Sequence, residues 1–229
     1  MRNSHPDVRV LLCESLTFSL DTSSTEGNIE CDLWTILMKK ANIITILRSP
    51  GTVFTFRDIL LASGETSPTL LKRRINHYIM KGELYPIRRG IYGKDKNYNR
   101  FELATKIYTP SYISFETVLS REGMIFQHYS QIFLASYLTR EIECDNQAYV
   151  FRRLKQLVLT NPLGIEQKEN LSIASRERAF LDMLYLHGDF YFDNLSQIAW
   201  DKCFEMILIY RNKAMAKRLD SYFKQAKHA

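Results

Sequence analysis

Thr69, Arg73, Asn76 and His77 recur at intervals of three and four residues, with Lys72 and Arg74 beside them. On a helix this spacing gathers side chains on one face. Arginine and asparagine match the donor and acceptor pattern of base edges in the major groove, and lysine and arginine neutralise phosphates. Thr66 and Ser67 precede the run, and their hydroxyls and amides suit a phosphate at a helix start. Arg88 and Arg89 follow on a short β-ribbon pattern before Gly90, from which they would reach the backbone or the minor groove. The chemistry these residues suggest is recognition of a polyanion.

Residues that would make or break bonds do not assemble in the sequence. There is no H-E-x-x-H, no G-x-S-x-G, no G-x-x-x-x-G-K-[ST] and no G-x-G-x-x-G. A G-S followed by D-x-[DE] is also missing, which argues against nucleotidyl transfer by this chain. His5, His77, His128, His187 and His228 stand apart from one another and from Cys13, Cys31, Cys144 and Cys203. No metal, no cofactor and no enzymatic activity are therefore expected. The scattered cysteines read as reduced thiols, most of them buried. Asp182 lies on an apolar helical stretch and is expected to pair with an arginine, a tyrosine or a backbone amide.

The charge is unevenly distributed. Residues 1–31 carry a net −3, residues 32–100 a net +8 and residues 101–229 a net +1. Within the last segment, 101–210 is at −4 and 211–229 at +5. Two basic patches on an otherwise acidic chain favour a nucleic-acid partner, because neutralised phosphates release counterions. A chain of 229 residues with 45% hydrophobic and 24% charged residues suits one large or two small globular domains. It excludes a wholly disordered chain, a collagen and a coiled-coil rod. No apolar run approaches ~18 residues, so no membrane span is expected. Residues 1–13 lack the pattern of a secretory signal, so a cytoplasmic location is expected.

Elements that could position these residues are legible in the middle of the chain. Residues 1–31, closed by a polar turn-rich run, read as a flexible arm, with 8–20 a candidate edge strand. Asp32 can cap a helix that ends at Ser49-Pro50-Gly51. Thr55 can cap a second over 56–63, closed by Gly64, and Ser67 a third, with Pro68 at its first position and Gly82 beyond its end. On the third, Leu71, Ile75, Tyr78 and Ile79 would face the core. A two-stranded wing over 84–93 would follow. This order predicts a winged helix-turn-helix over 32–96, with residues 94–100 as a boundary. The region 101–229 reads as a mixed α/β domain, and the whole as α+β. Its expected helices are 115–122, 176–187 capped by Ser175, 194–198 and 202–224. Its expected strands are 131–138, 148–154 and 157–159.

Three stretches carry a resemblance to a known family. They are Leu84-Tyr85-Pro86-Ile87-Arg88-Arg89-Gly90-Ile91-Tyr92, Pro110-Ser111-Tyr112-Ile113-Ser114-Phe115-Glu116-Thr117-Val118-Leu119 and Ile173-Ala174-Ser175-Arg176-Glu177-Arg178-Ala179-Phe180-Leu181-Asp182-Met183-Leu184. In order and separation they resemble the AbiEi-type antitoxins of type IV toxin–antitoxin systems, over about residues 32–224. The resemblance implies a winged helix that represses its own operon by binding double-stranded DNA of its own promoter, at inverted repeats. It also implies a C-terminal antitoxin domain that opposes a nucleotidyltransferase-like toxin, encoded nearby, without needing to bind it. Thr69, Arg73, Asn76, Arg88 and Arg89 would fall in the DNA-reading elements, and the helix over 175–186 would build the C-terminal core. Arg211, Lys213, Lys217 and Arg218 are candidates for antitoxin work by their charge. The bland reading of those four is a solvated helix C-terminus that suits positive charge. The residues also leave open an orphan winged-helix regulator and a protein- or RNA-interaction module without a toxin partner.

Overall fold

A computed structural model describes residues 46–168, 170–188 and 190–228. The arm, the candidate strand over 8–20 and the helix expected after Asp32, apart from 46–48, which are helical, lie outside the described residues. Those described belong to one compact unit. The chain is a mixed α+β protein, as the sequence implies. No helix among the described residues is long and apolar enough to cross a membrane.

In chain order the elements are β1 (Val53–Thr55), α1 (Phe56–Ser63), α2 (Pro68–Met80), β2 (Tyr85–Arg88), β3 (Ile91–Gly93), α3 (Arg100–Ile107), β4 (Ser111–Ile113), α4 (Phe115–Arg121), β5 (Ile132–Ser136), β6 (Arg140–Cys144) and β7 (Gln147–Arg153). Then come α5 (Gln156–Leu159), β8 (Ile165–Lys168), β9 (Leu171–Ala174), α6 (Arg176–Leu186), α7 (Trp200–Met206), a 3-10 turn (Ile207–Tyr210) and α8 (Lys213–His228). The first three strands form a sheet in the order β1-β3-β2, all antiparallel. The other six form a mixed sheet in the order β6-β7-β5-β4-β9-β8. The pairs β5/β7 and β4/β9 are parallel and the rest antiparallel.

Burial follows from these positions. Every residue of the central β5 is buried, as befits a strand covered on both faces. β7 alternates, with Gln147, Tyr149 and Phe151 inward, the period of a half-buried strand. The β6–β7 hairpin closes through Asp145 and Asn146, both at positive φ (49° and 59°), residue types that tolerate the left-handed region.

Several sequence expectations are corrected. Residues 157–159 lie in a helical turn, not a strand: Val158 and Leu159 are buried there while Leu157 is exposed. Residues 194–198 are not helical. The helix expected over 202–224 is broken at Arg211 (φ 48°), and Asn212 then accepts from the Ala214 and Met215 amides to start α8. Tyr78 and Ile79 are only half-buried, whereas Leu71 and Ile75 are fully inside. Strands β1, β4, β6 and β8 and helix α3 are further elements that the sequence pattern did not announce.

The α6 helix, capped by Ser175, holds the centre of the body. Arg178 and Asp182 lie one turn apart on it, both fully buried. Asp182 accepts from Arg178 Nε (3.4 Å), Ser114 (2.8 Å), Tyr112 (2.9 Å) and Tyr210 (2.6 Å). Arg178 also donates to the Leu163 and Val158 carbonyls and to the Tyr112 hydroxyl. Burial pushes the Asp182 carboxyl upward, while the guanidinium and the three hydroxyls pull it back. The expected pairing of Asp182 is thus met by four partners from three parts of the chain. Nearby, Gly164 (φ 75°) leaves no room for a side chain, since a Cβ there would lie 2.9 Å from Arg178 Cβ. Cys203 is buried, which pushes its thiol up to about 12. Replacing Arg178 by Met leaves a buried carboxylate without its cation and is expected to cost about 3–5 kcal/mol. Urea denaturation of the variant beside the parent checks this; a loss under 1 kcal/mol would refute the central role of the pair.

Candidate nucleic-acid interface

The α1–α2 segment is built from local signals. Thr55 accepts from the Asp58 amide while Asp58 accepts from the Thr55 amide, a reciprocal cap at the start of α1. Gly64, at φ 61°, ends that helix in the left-handed region. The Ser67 hydroxyl caps α2 by accepting from the Leu70 amide, and Pro68 takes the first helical position. Leu71 and Ile75 of α2 pack with Ile46, Phe54 and Ile59 in a small core of their own.

That anchoring decides which side chains of α2 emerge. Thr69, Lys72, Arg73, Asn76 and His77 are all exposed, as is Thr66 before the helix. Ser67 is half-buried and its oxygen is engaged in the cap, so it is the least free of the expected phosphate contacts. Arg74 is half-buried and ion-paired with Glu65 at 3.1 Å, which removes it from the open cations. Arg57, an exposed cation in the first turn of α1, was not singled out by the sequence pattern.

The β2–β3 hairpin carries Arg88 at the end of β2 and Arg89 in the turn, both exposed. Gly90 takes φ 78° in that turn, and its carbonyl accepts from the Phe56 amide at the start of α1. The two arginines are not equivalent. The Cys144 thiol donates to the Ile87 carbonyl, and the Arg88 charge is felt at that thiol, opposing the rise that burial imposes. Arg88 therefore lies towards the β6 end, while Arg89 sits on the turn itself.

The hairpin and α1 are seated on the body by polar contacts from α3. Glu102, buried, accepts from the amide and hydroxyl of Thr52, each at 2.7 Å. Lys106 reaches the Val53 carbonyl at 2.6 Å and Asp58 at 3.2 Å. Tyr98 is buried, stacks on Tyr85 and donates to Asp145 at the β6–β7 turn. The 94–100 stretch, expected as a boundary, buries Tyr98 and leads into α3 through the Asn99 cap. These seats were missed because no local pattern announces them.

The four C-terminal candidates do not act as a unit. Arg211 is exposed in the left-handed break, and Lys213 and Lys217 are exposed on α8. Arg218 is half-buried, with its Nε enclosed and without a hydrogen-bond partner and Nη1 near Gly188. Because the chain breaks at Arg211, Lys213 opens a helix, where the dipole disfavours a cation. The idea of a dipole-favourable helix end therefore fails for Lys213.

No group of three or more His, Cys, Asp or Glu among the described residues could hold a metal ion. No protein-family model matches the chain, and no curated protein matches it in sequence.

Burial raises the Asp58 carboxyl, but the Thr55 amide and Lys106 outweigh it and hold the group below its ordinary value. Asp58→Ala is therefore expected to cost on the order of 1 kcal/mol at pH 7, with the ion-pair share kept small by solvent. A carboxyl with a lowered folded-state pKa contributes fully above its unfolded value and loses that contribution as pH falls through the folded one. The deficit should thus shrink towards pH 3. Denaturant titrations at pH 7, 5, 3.5 and 2.5 check this, and a deficit independent of pH would refute it.

Proposed function

We propose that the chain is a DNA-binding transcriptional regulator that recognises duplex DNA through a winged helix-turn-helix. The observation that carries the reading is the β1-β3-β2 sheet, whose Phe54 and Tyr92 pack with Ile59, Leu71 and Ile75 of the α1–turn–α2 pair, and the exposure of Thr69, Lys72, Arg73, Asn76 and His77 on α2. In this arrangement α2 is the recognition helix and enters the major groove, and β2–β3 is the wing. Arg73 and Asn76 read base edges; Lys72, Thr66 and Arg89 hold phosphates. The net +8 over residues 32–100 supplies the electrostatic share of affinity. One chain offers one recognition helix, so inverted repeats would engage two copies. The reading implies a cytoplasmic protein.

The resemblance to AbiEi-type antitoxins supports a second role, as autorepressor and antitoxin against a nucleotidyltransferase-like toxin. The stretches that carry it fall on the β2–β3 hairpin, on the junction of β4 with α4, and on α6 with its buried Arg178–Asp182 pair. Co-expression with the nucleotidyltransferase-like gene next to this chain's own gene tests that role. Growth rescued by the parent supports it, and growth arrest despite a well-folded parent overturns it.

DNA from just upstream of the chain's own gene, titrated beside a scrambled duplex at two salt concentrations, tests duplex recognition. The native sequence is expected to bind tighter. Loss of a base contact in Arg73→Ala should cost ~1–3 kcal/mol, roughly a fivefold to hundredfold change in Kd. Arg89→Ala should lower the salt slope by about one unit. Variants that bind like the parent at both salt concentrations would overturn the assignment.

A further inference from the structure

Two hollows on the body share a wall. One, of about 530 Å³, lies between the start of α3, α4 and the first residues of β5 and β7. The other, of about 430 Å³, lies between α3, the end of α4 and the β8–β9 hairpin. Phe101, Arg121 and Ile173 line both, so the two form one continuous groove.

Its cations are spread along its length. Arg100 lines the first hollow, Lys168 the second, and Arg121 the shared wall. All three are exposed, and Arg121 has no ion pair or hydrogen bond with any described residue. Glu116 is the one carboxylate lining the groove among the described residues, and Arg152 neutralises it through two bonds of 2.8 and 2.6 Å. That arginine lies over the Phe133 and Phe115 rings, at 4.6 and 5.1 Å, which holds the pair in place. Arg121 and Lys168 belong to the stretch 101–210, which is net −4, so these two cations stand out from the charge of their own segment.

Aromatic rings line the groove as well. Phe101 is more than a third exposed although it is apolar and sits in the first turn of α3. Tyr129 lines the first hollow, its ring edge-on to Phe133. A compact anion would need its cations gathered at one point. Cations in both hollows, with aromatic rings beside them, suit a chain of phosphates whose bases stack.

We propose that this groove binds single-stranded nucleic acid, with Arg100, Arg121 and Lys168 against phosphates and Phe101 and Tyr129 under bases. No residue of the groove lies on α2 or the β2–β3 hairpin, so the proposal stands apart from duplex recognition.

Fluorescence anisotropy of the full chain tests it, with a labelled 12-nucleotide RNA and a DNA strand of the same mixed sequence. The double variant R121E/K168E and, separately, Phe101→Ala are each expected to weaken single-strand binding about tenfold or more. Both should bind the upstream duplex within about twofold of the parent, and Arg73→Ala should show the reverse pattern. Binding of either strand supports the proposal, and the tighter one names the source of the ligand. Thermal midpoints identify any variant that fails to fold; R121E/K168E changes only exposed side chains and keeps the test valid if Phe101→Ala does not fold. The proposal is overturned if the parent binds neither strand at low salt, or if folded variants bind both strands like the parent. It is overturned too if Arg73→Ala weakens single-strand binding as much as R121E/K168E does, which would put the strand on the duplex face. A loss of duplex specificity alone would instead count against the winged-helix reading.

Discussion

Arg178 and Asp182 set the terms on which the body of this protein folds. Both are fully buried one turn apart on α6, and an ion pair in that position is tolerated only when the remaining protons and lone pairs are also met. Here they are met from a distance. Tyr112 and Ser114 bring the β4 strand, Val158 and Leu163 bring the segment around α5, and Tyr210 brings the 3-10 turn. Each contact fixes an element whose own sequence is too short to fix itself. The β4–α4 junction shows the consequence. Phe115 takes φ 56°, uncommon for a bulky residue, while Ser114 on one side binds Asp182 and Glu116 on the other binds Arg152. Two buried polar demands on neighbouring residues hold the backbone in a conformation it would otherwise leave.

From this centre the order passes to the α1–α2 segment through a second set of buried polar contacts. Glu102 and Lys106 grip β1 and the start of α1, and Tyr98 links the β2–β3 hairpin to the β6–β7 turn. The small sheet bridges two apolar cores: Val53 and Ile91 belong to the large one, Phe54 to the small one, against which Tyr92 also packs. The α1–α2 segment and the β2–β3 hairpin are therefore seated on the body instead of hanging from a linker. The same framework touches the groove, since Arg100, which lines it, donates to Gln147 just after that β6–β7 turn.

Charge sorts the surface by use. Arg74, Arg152, Arg176 and Arg178 are each tied to a carboxylate, and their role is positional. Exposed pairs such as Lys168–Glu166 are worth little in water, so that lysine stays available to a competing phosphate. Arg73 on α2 and Arg121 in the groove have no ion pair among the described residues. The distinction between structural and available cations cannot be drawn from composition, because both kinds count alike in the net charge.

By itself the sequence determined the elements whose signals are local. Thr55 with Asp58, Gly64, Ser67 with Pro68, and Ser175 mark helix ends through bonds that span three or four residues. Leu71 and Ile75 mark the buried side of α2, and so Thr69, Lys72, Arg73 and Asn76 could be read as its open side. Tertiary structure alone decided the rest. Strands of three residues such as β1 and β4 exist because partners far along the chain pair with them, at Gly93 and Ser136 for example. Residues 157–159 have the composition of a strand, yet turn as a helix with Val158 and Leu159 inside and the Val158 carbonyl bound by Arg178. The sequence foretold that Asp182 would be paired, but not that its partners stand at 112, 114, 178 and 210. Nor could it join Arg121 to Lys168 across a groove. A local bond is written in neighbouring residues, whereas a buried charge draws its partners from wherever the folded chain brings them near.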